Sequence, residues 1–310
     1  MTATANPVCF GHERYGRTSM ISGQQARFYA DNGYLVIDRM FDREQVGRAL
    51  AAIDELLSPA NPDKPYEFEP RDGVTVRRIW SPTRKHETFW RMATEPALLD
   101  CIERLIGGNI LFHYSKLNMK GPRVGSIVEW HQDFSYYPHT NTDLLSALTF
   151  LDDASARNGC LRVIPGSHRG GLLSHDIDGY FRGKVEGVDE ARAVSLEVPA
   201  GSVVFLHCLT LHASARNESD LPRRTFLPAY RAADAFPIYF GPHAAHNEPG
   251  IQLLRGQRAR AARVEAGQHR LPIAEREFGS LYEVQEGSHL RKDLTVMETA
   301  GYAVADTAAK

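Results

Sequence analysis

Cysteine is scarce in this chain of 310 residues. Four occur, Cys9, Cys101, Cys160 and Cys208, and no two form a CxxC pair. In a chain of this length such spacing reads as free thiols in a reducing compartment, not as a disulfide framework. No apolar run approaches the ~20 residues that span a bilayer, which excludes a membrane helix. The first twenty residues lack the basic segment and apolar stretch of a secretory signal, so the expected location is cytoplasmic. Charge of one sign is not in excess either. The formal net charge is −2, leaving no basic field for nucleic acid or an anionic membrane surface. Internal repeats and low-complexity linkers are missing, and one domain is the simplest organisation. With 43% hydrophobic residues, a chain this long can bury a substantial core without staples.

What is present begins with helices. Ser22 to Asn32 reads as a helix, with Ser22 and Gln25 at capping-box positions and Gly33 where a helix stops. Tyr34–Ile37 is a short apolar strand. Asp42 with Gln45 opens a second helix, in which Val46, Leu50, Ile53 and Leu57 recur at helical spacing. A proline-rich loop is expected from Ser58 to Pro70. Thr94 is expected to cap a third helix, with Leu98, Leu99, Ile102, Leu105 and Ile106 on its apolar face and Gly107-Gly108 at its end.

After Gly108 the texture becomes β-rich. Short runs at Ile110–His113, Ile127–Trp130, Ala147–Leu151, Leu161–Ile164, Val194–Val198, Val203–His207 and Thr225–Tyr230 are separated by turn residues. Helices that precede strands, without alternating with them, suggest a sandwich or barrel under a helical layer and not a Rossmann-like sheet. The expected layout is a helical layer over about 20–108, a β core over about 109–232 and a C-terminal extension over about 242–310. In that extension Arg255, Arg258, Arg260 and Arg263 form a basic cluster. A solvated face is the plain reading; a contact for an anionic substrate or a neighbouring subunit is the sharper one.

The chemistry is concentrated around Val128-Glu129-Trp130-His131-Gln132-Asp133-Phe134. On a strand, positions i and i+2 share a face, so His131 and Asp133 can offer a nitrogen and a carboxylate oxygen to one metal. His212 follows 81 residues later. Two histidines and a carboxylate leave coordination positions open, as non-haem iron(II) oxygenases need for cosubstrate and O2. A structural zinc site would be closed, usually with thiolates. Arg223 lies 11 residues past His212. Its rigid guanidinium fork suits the distal carboxylate of a dicarboxylic keto acid.

His131-Gln132-Asp133-Phe134-Ser135-Tyr136-Tyr137-Pro138, followed by Asn158-Gly159-Cys160-Leu161-Arg162-Val163-Ile164-Pro165-Gly166-Ser167-His168, resembles the phytanoyl-CoA dioxygenase (PhyH) family. Gly201-Ser202, His212-Ala213-Ser214 and Asn217 through Pro222-Arg223 continue the match in order, over roughly Gln25 to Ala232. The resemblance implies a double-stranded β-helix (jelly-roll, cupin-like) core with N-terminal helices packed on it. It implies iron(II) held by His131, Asp133 and His212, with 2-oxoglutarate and O2 as cosubstrates. Arg223 is similar to the arginine that binds the distal carboxylate, Ser214 is placed to assist it, and Asn118 resembles a residue that holds the cosubstrate from a neighbouring strand. Thr149 stands at a cosubstrate-pocket position where some relatives carry a larger side chain. Ala213 replaces a usual glycine. Because the carboxylate Asp133 is present, halogenation is disfavoured.

Other residues compete for attention. His207 lies five positions before His212, and on one continuous strand the two would face opposite ways; the family pattern favours His212. His168 reads as a structural turn residue. His139 and His175 are expected at the pocket mouth, exposed or touching substrate, and one of Tyr136 and Tyr137 is expected to face the site. Arg224 should point away from Arg223. The expected reaction is hydroxylation of an unactivated C–H bond of a small molecule, with release of succinate and CO2. Desaturation, epoxidation or cyclisation by the same apparatus is an alternative. So are a non-catalytic ligand-binding jelly-roll and a zinc- or manganese-dependent cupin-like enzyme. Oligomeric state and substrate identity are not legible.

Overall fold

The structure is a computed structural model and describes residues 21–61, 66–239, 250–274 and Val284. The N-terminal helical layer comprises α1 (Gly23–Asn32), α2 (Arg43–Leu57), α3 (Pro82–Lys85), α4 (Glu87–Ala93) and α5 (Pro96–Ile106), with strands β1 (Tyr34–Ile37), β2 (Tyr66–Phe68) and β3 (Val76–Trp80) threaded among them. Both expected capping boxes form, Ser22 with Gln25 and Asp42 with Gln45. Thr94, in contrast, closes α4, and its hydroxyl donates to the Trp90 carbonyl. α5 opens one residue later, with Pro96 in its first turn, where the missing N–H costs nothing. The loop expected over Ser58–Pro70 contains β2, which pairs with β3.

The strands that follow are β4 (Ile110–Lys120), β5 (Val128–His131), β6 (Leu144–Phe150), β7 (Leu161–Val163), β8 (Asp176–Ile177), β9 (Tyr180–Phe181), β10 (Val194–Leu196), β11 (Val203–His207), β12 (His212–Ser214), β13 (Arg223–Ala232) and β14 (Gln252–Arg255). They form two main antiparallel sheets. The larger has the order β1-β11-β6-β13-β4-β3-β2, with β14 also on β4; the smaller has the order β10-β7-β12-β5. β8 and β9 make a separate two-stranded ribbon.

The larger sheet is buried on both faces, which explains its nearly continuous apolar strands. Leu35, Ile37, Leu145, Ala147, Val203, Phe205, Phe226 and Tyr230 pack towards the helices. Their neighbours in sequence, such as Val36, Leu148, Phe150, Val204 and Leu227, pack towards the smaller sheet with Leu161, Val163 and Leu196. One side chain per pleat thus goes to each of two cores. Cys101, Cys160 and Cys208 are buried free thiols, as expected, and Cys9 lies outside the described residues. The arginines after Gly250 divide. Arg255 pairs with Asp100 and Glu103, and Arg263 with Asp143, Asp234 and Glu265, tying the extension to the core. Arg258 and Arg260 are exposed. Among the described residues no helix is long and apolar enough to cross a membrane.

Gly33 joins the helical layer to the strand end that precedes the smaller sheet. Its φ is +76°, and its carbonyl accepts from the Thr210 hydroxyl at 2.7 Å. A Cβ here would meet Thr210 Oγ1 at 2.3 Å and His168 Nδ1 at 2.5 Å. Gly33→Ala therefore combines left-handed backbone strain with a clash and should destabilise the protein by about 2–4 kcal/mol. Urea denaturation checks this; an unchanged midpoint would contradict the packing described.

Candidate metal centre

His131 is the last residue of β5, and the chain then leaves the sheet. Gln132 is extended and Asp133 opens a 3-10 turn, Asp133–Ser135. The His-x-Asp pair is therefore not carried on one strand, as its spacing predicts, but on a strand end and the turn after it. His212 opens β12 and lies directly opposite His131 across the sheet. His207 ends β11 in the other sheet, and residues 208–211 turn between the two. That turn, not strand alternation, separates the two histidines. His207 Nδ1 accepts from the Leu209 N–H, and its ring packs beside those of His168 and Tyr29.

The three groups converge. His131 Nε2 is 3.7 Å and His212 Nε2 3.8 Å from Asp133 Oδ1, and one ligand atom from each lies within 4.8 Å of the others. Among the described residues this is the one cluster of three or more such groups close enough to share an ion. Each histidine donates Nδ1–H to a carbonyl two residues upstream, Glu129 at 2.7 Å and Thr210 at 2.8 Å. The lone pair is thereby left on Nε2, the atom facing Asp133, in the arrangement usual for ligating histidines. Asp133 Oδ2 accepts from Ser146 Oγ at 3.2 Å, leaving Oδ1 free towards the histidines.

Burial and the neighbouring His212 hold the His131 ring well below the ordinary histidine pKa, and burial also lowers that of His212. For Asp133, burial pushes upward, but His212, Lys116 and His131 outweigh it and its carboxyl sits below the usual range. Two neutral imidazoles and a carboxylate therefore face one point at neutral pH. That set suits a divalent ion with open positions. Cys208 Sγ is directed to the Thr142 carbonyl and joins no thiolate set.

The triad forms one wall of a cavity whose other lining residues include Asn118, Ser214 and Arg223. Arg223 opens β13 opposite Lys120. It is buried, donates Nη1–H to Thr225 Oγ1 at 2.9 Å, and leaves its Nε without a partner among the described residues. Burial lowers its pKa to about 10, still charged at neutral pH. Arg224 points the other way and grips Asp152 at 2.7 and 2.9 Å.

Not every expected site residue arrives there. Thr149 lies on the face of β6 that carries Ala147 and Leu151 towards the helices, whereas Leu148 and Phe150 line the cavity. One residue of strand register removes it from the site. His139 and His175 are not at a mouth but fully buried. His139 Nδ1 donates to the Tyr137 carbonyl, and its ring packs on His113. Tyr136 and Tyr137 are absent from the cavity lining. Tyr136 donates to the Gly183 carbonyl with its ring edge-on to His131, while Tyr137 packs against His113 and Tyr114.

Gln132 went unnoticed in the sequence, yet it holds the site together. It is fully buried, and its amide donates to the Gly171 and Leu209 carbonyls at 2.9 and 2.7 Å and accepts from the Leu173 N–H at 2.8 Å. Its own N–H donates to His175 Nε2 at 2.9 Å. The turn bearing Asp133 and the loop leading to His212 are thus pinned to a common strap. A polar residue between two ligands was the available signal. Gln132→Leu should weaken iron(II) binding about 10–100-fold, the usual cost of losing a supporting contact. Calorimetric metal titration of the folded variant checks this; unchanged affinity would refute the role.

The buried histidines also predict acid sensitivity. Burial depresses His139 and His207 to about 3 and His175 to about 4. Below their ordinary pKa near 6.5 the unfolded chain takes up protons that the folded chain refuses. Stability contributed by their neutrality is present above pH 6.5 and falls progressively towards pH 4. The urea midpoint should drop between pH 7 and 5, and a flat profile would contradict it.

A model of the phytanoyl-CoA dioxygenase (PhyH) family matches residues 29–225. The chain is 34% identical over 230 residues to a probable alpha-ketoglutarate-dependent hypophosphite dioxygenase of Stutzerimonas stutzeri, covering 69% of this chain and 80% of that one. It is 27% identical to human peroxisomal phytanoyl-CoA dioxygenase, over 70% of each. Among solved structures it is similar to EctD from S. alaskensis with bound Fe, at 27% identity and a TM-score of 0.62, over 83% of this chain and 91% of that one. The non-heme alpha ketoglutarate dependent carbocyclase SnoK is also similar, at 26% identity and a TM-score of 0.58, over 69% and 85%. With a His-Asp-His triad assembled in the matched region, the chain belongs to the phytanoyl-CoA dioxygenase family of non-haem iron(II)- and 2-oxoglutarate-dependent dioxygenases.

Proposed function

We propose that this protein hydroxylates an unactivated C–H bond of a small molecule, within one double-stranded β-helix unit spanning the matched region. The balance is RH + 2-oxoglutarate + O2 giving ROH + succinate + CO2. The observation that carries the reading is the convergence of His131, Asp133 and His212 on the cavity that also holds buried, charged Arg223. When bound, iron(II) with 2-oxoglutarate and O2 supplies the oxidising power that no side chain here possesses.

The chain's own residues bind and orient. His131, Asp133 and His212 hold the metal from one side, with Ser146 fixing the carboxylate and the two carbonyl contacts fixing the rings. Arg223 pairs the distal carboxylate of 2-oxoglutarate, offering the Nε–H that no group among the described residues takes. Ser214 and Asn118 line the same cavity and add polar contacts to the cosubstrate. Asn118 is itself held by Arg78 Nε at 3.0 Å. Leu148, Phe150, Leu161 and Leu227 give apolar walls that limit water around the reacting bond.

The relatives' substrates differ widely: hypophosphite, ectoine and L-proline appear in their names. A carbocyclase among similar structures favours one second reading, in which the same apparatus closes a ring instead of adding a hydroxyl. Product mass separates the two, since hydroxylation adds one oxygen and ring closure removes two hydrogens.

The test is an anaerobic titration with iron(II) and then 2-oxoglutarate, followed by visible absorption. A weak charge-transfer band should form. Arg223→Ala should weaken 2-oxoglutarate binding by about 10–100-fold, as expected for losing a charged, buried partner. Iron binding without the band would favour a cupin-like metalloenzyme, and Asp133→Ala that still forms succinate would sink the triad.

A further inference from the structure

A second group of buried polar atoms lies on the side of the triad away from Arg223. β13 passes the triad at Ala229, which pairs with Ser146, the residue whose hydroxyl holds Asp133. Arg223 precedes that level on the strand. Arg231 follows it by two residues on the same face, about 7 Å further along. Arg231 is buried; its Nη1–H donates to the Ala235 carbonyl, while its Nε has no partner among the described residues. Burial pushes its pKa down to about 10, which leaves it charged at neutral pH, and no carboxylate among the described residues acts on it. Asp234, three residues on, and Asp143, beside its register partner Leu144, are both held by Arg263.

Two histidines complete the group. The register of β4 on β13 shifts between the pairs Tyr114–Ala229 and Phe112–Tyr230, so His113 is the extra residue of a bulge, a device that re-aims a side chain. Its ring centroid lies 5.2 Å from that of His139 and 5.0 Å from those of Tyr114 and Tyr137. Both nitrogens of His113 and Nε2 of His139 are buried without a hydrogen-bond partner among the described residues. Burial, helped by the charge of Arg231, holds both rings neutral. His139 gives its Nδ1–H to the Tyr137 carbonyl and so presents a lone pair, which leaves Arg231 and His113 as the donors. Water can bond to such atoms but does not offset a buried charge; an anion does both. One arginine beside two neutral imidazoles calls for a single negative charge. We propose that Arg231 and His113, with His139 beside them, form a binding site for a compact monoanion, either a free halide or the carboxylate of an organic molecule.

The site contains no metal ligand, so its test stands or falls independently of the oxygenase reading. Crystals of the full-length protein, grown without halide or carboxylate salts, are soaked in sodium bromide and measured at the bromine absorption edge. An anomalous peak should lie at hydrogen-bond distance from Arg231 Nε and a ring nitrogen of His113. In solution, bromide titrated at constant ionic strength should raise the thermal unfolding midpoint by about 2–4 °C as the site fills. Arg231→Met should abolish that rise and His113→Phe should reduce it; general salt effects are common to all three proteins. Sodium propionate, titrated in the same way, distinguishes the sources. A rise that Arg231→Met abolishes identifies a carboxylate as ligand, and a rise with bromide alone identifies a free halide. No peak beside Arg231, a peak with no dependence in solution (an adventitious ion only), or a rise that survives in Arg231→Met overturns the proposal. If Arg231→Met fails to fold, the wild-type map and the His113→Phe titration still decide, since an unreduced rise in His113→Phe also overturns it.

Discussion

The pairing of β5 with β12 in the register that sets His131 opposite His212 is the constraint on which the site depends. Neither strand is long: four residues in one and three in the other. Such short pieces hold register only because β12 is also paired on its other side with β7, His212 facing Val163. The smaller sheet in turn lies on the apolar face of the larger one through Leu161, Val163 and Leu196. A slip of one residue would turn His212 into the core and bring Ala213 to the metal. The two cores therefore act on function by fixing a register.

Around that pairing, polar groups are buried at a density that only mutual satisfaction makes tolerable. Gln132 takes up three backbone groups from two loops, and His175 receives the N–H of Gln132 while donating to the Leu173 carbonyl. The triad rings are oriented by backbone carbonyls two residues upstream, Glu129 on β5 and Thr210 in the turn before β12. Among the described residues the Nε of Arg223 is one of the buried polar atoms without a hydrogen-bond partner, and Arg223 lines the same cavity as the triad.

Much of this was legible because it is local. Capping boxes at Ser22 and Asp42 depend on residues three apart, and β1 and β11 appear at their expected bounds because an apolar run between turn residues admits little else. The Arg223–Arg224 pair divides as strand alternation requires. Where expectation failed, a neighbour in space had decided. Thr94 lost its helix start to Pro96, β2 emerged from an expected loop because β3 offered it an edge, and Thr149 was carried to the wrong face by the phase of β6. His139 and His175 looked like exposed loop histidines, but both are buried, His139 against His113 and His175 beside Gln132 and Phe181.

The sequence offered the donors that an open iron(II) site requires, His131 and Asp133 by their spacing and His212, over His207, by the resemblance to the family. With Arg223 and the ordered motifs around them, they also determined the family. Tertiary structure alone decided that Asp133 stands on a turn and not a strand, that Gln132 ties that turn to two loops, and that buried Arg223 lines the same cavity as the triad. The physical reason is distance along the chain. Donor chemistry belongs to single residues and can be read one at a time. Register, clamping and the lining of a cavity depend on segments that meet only after folding.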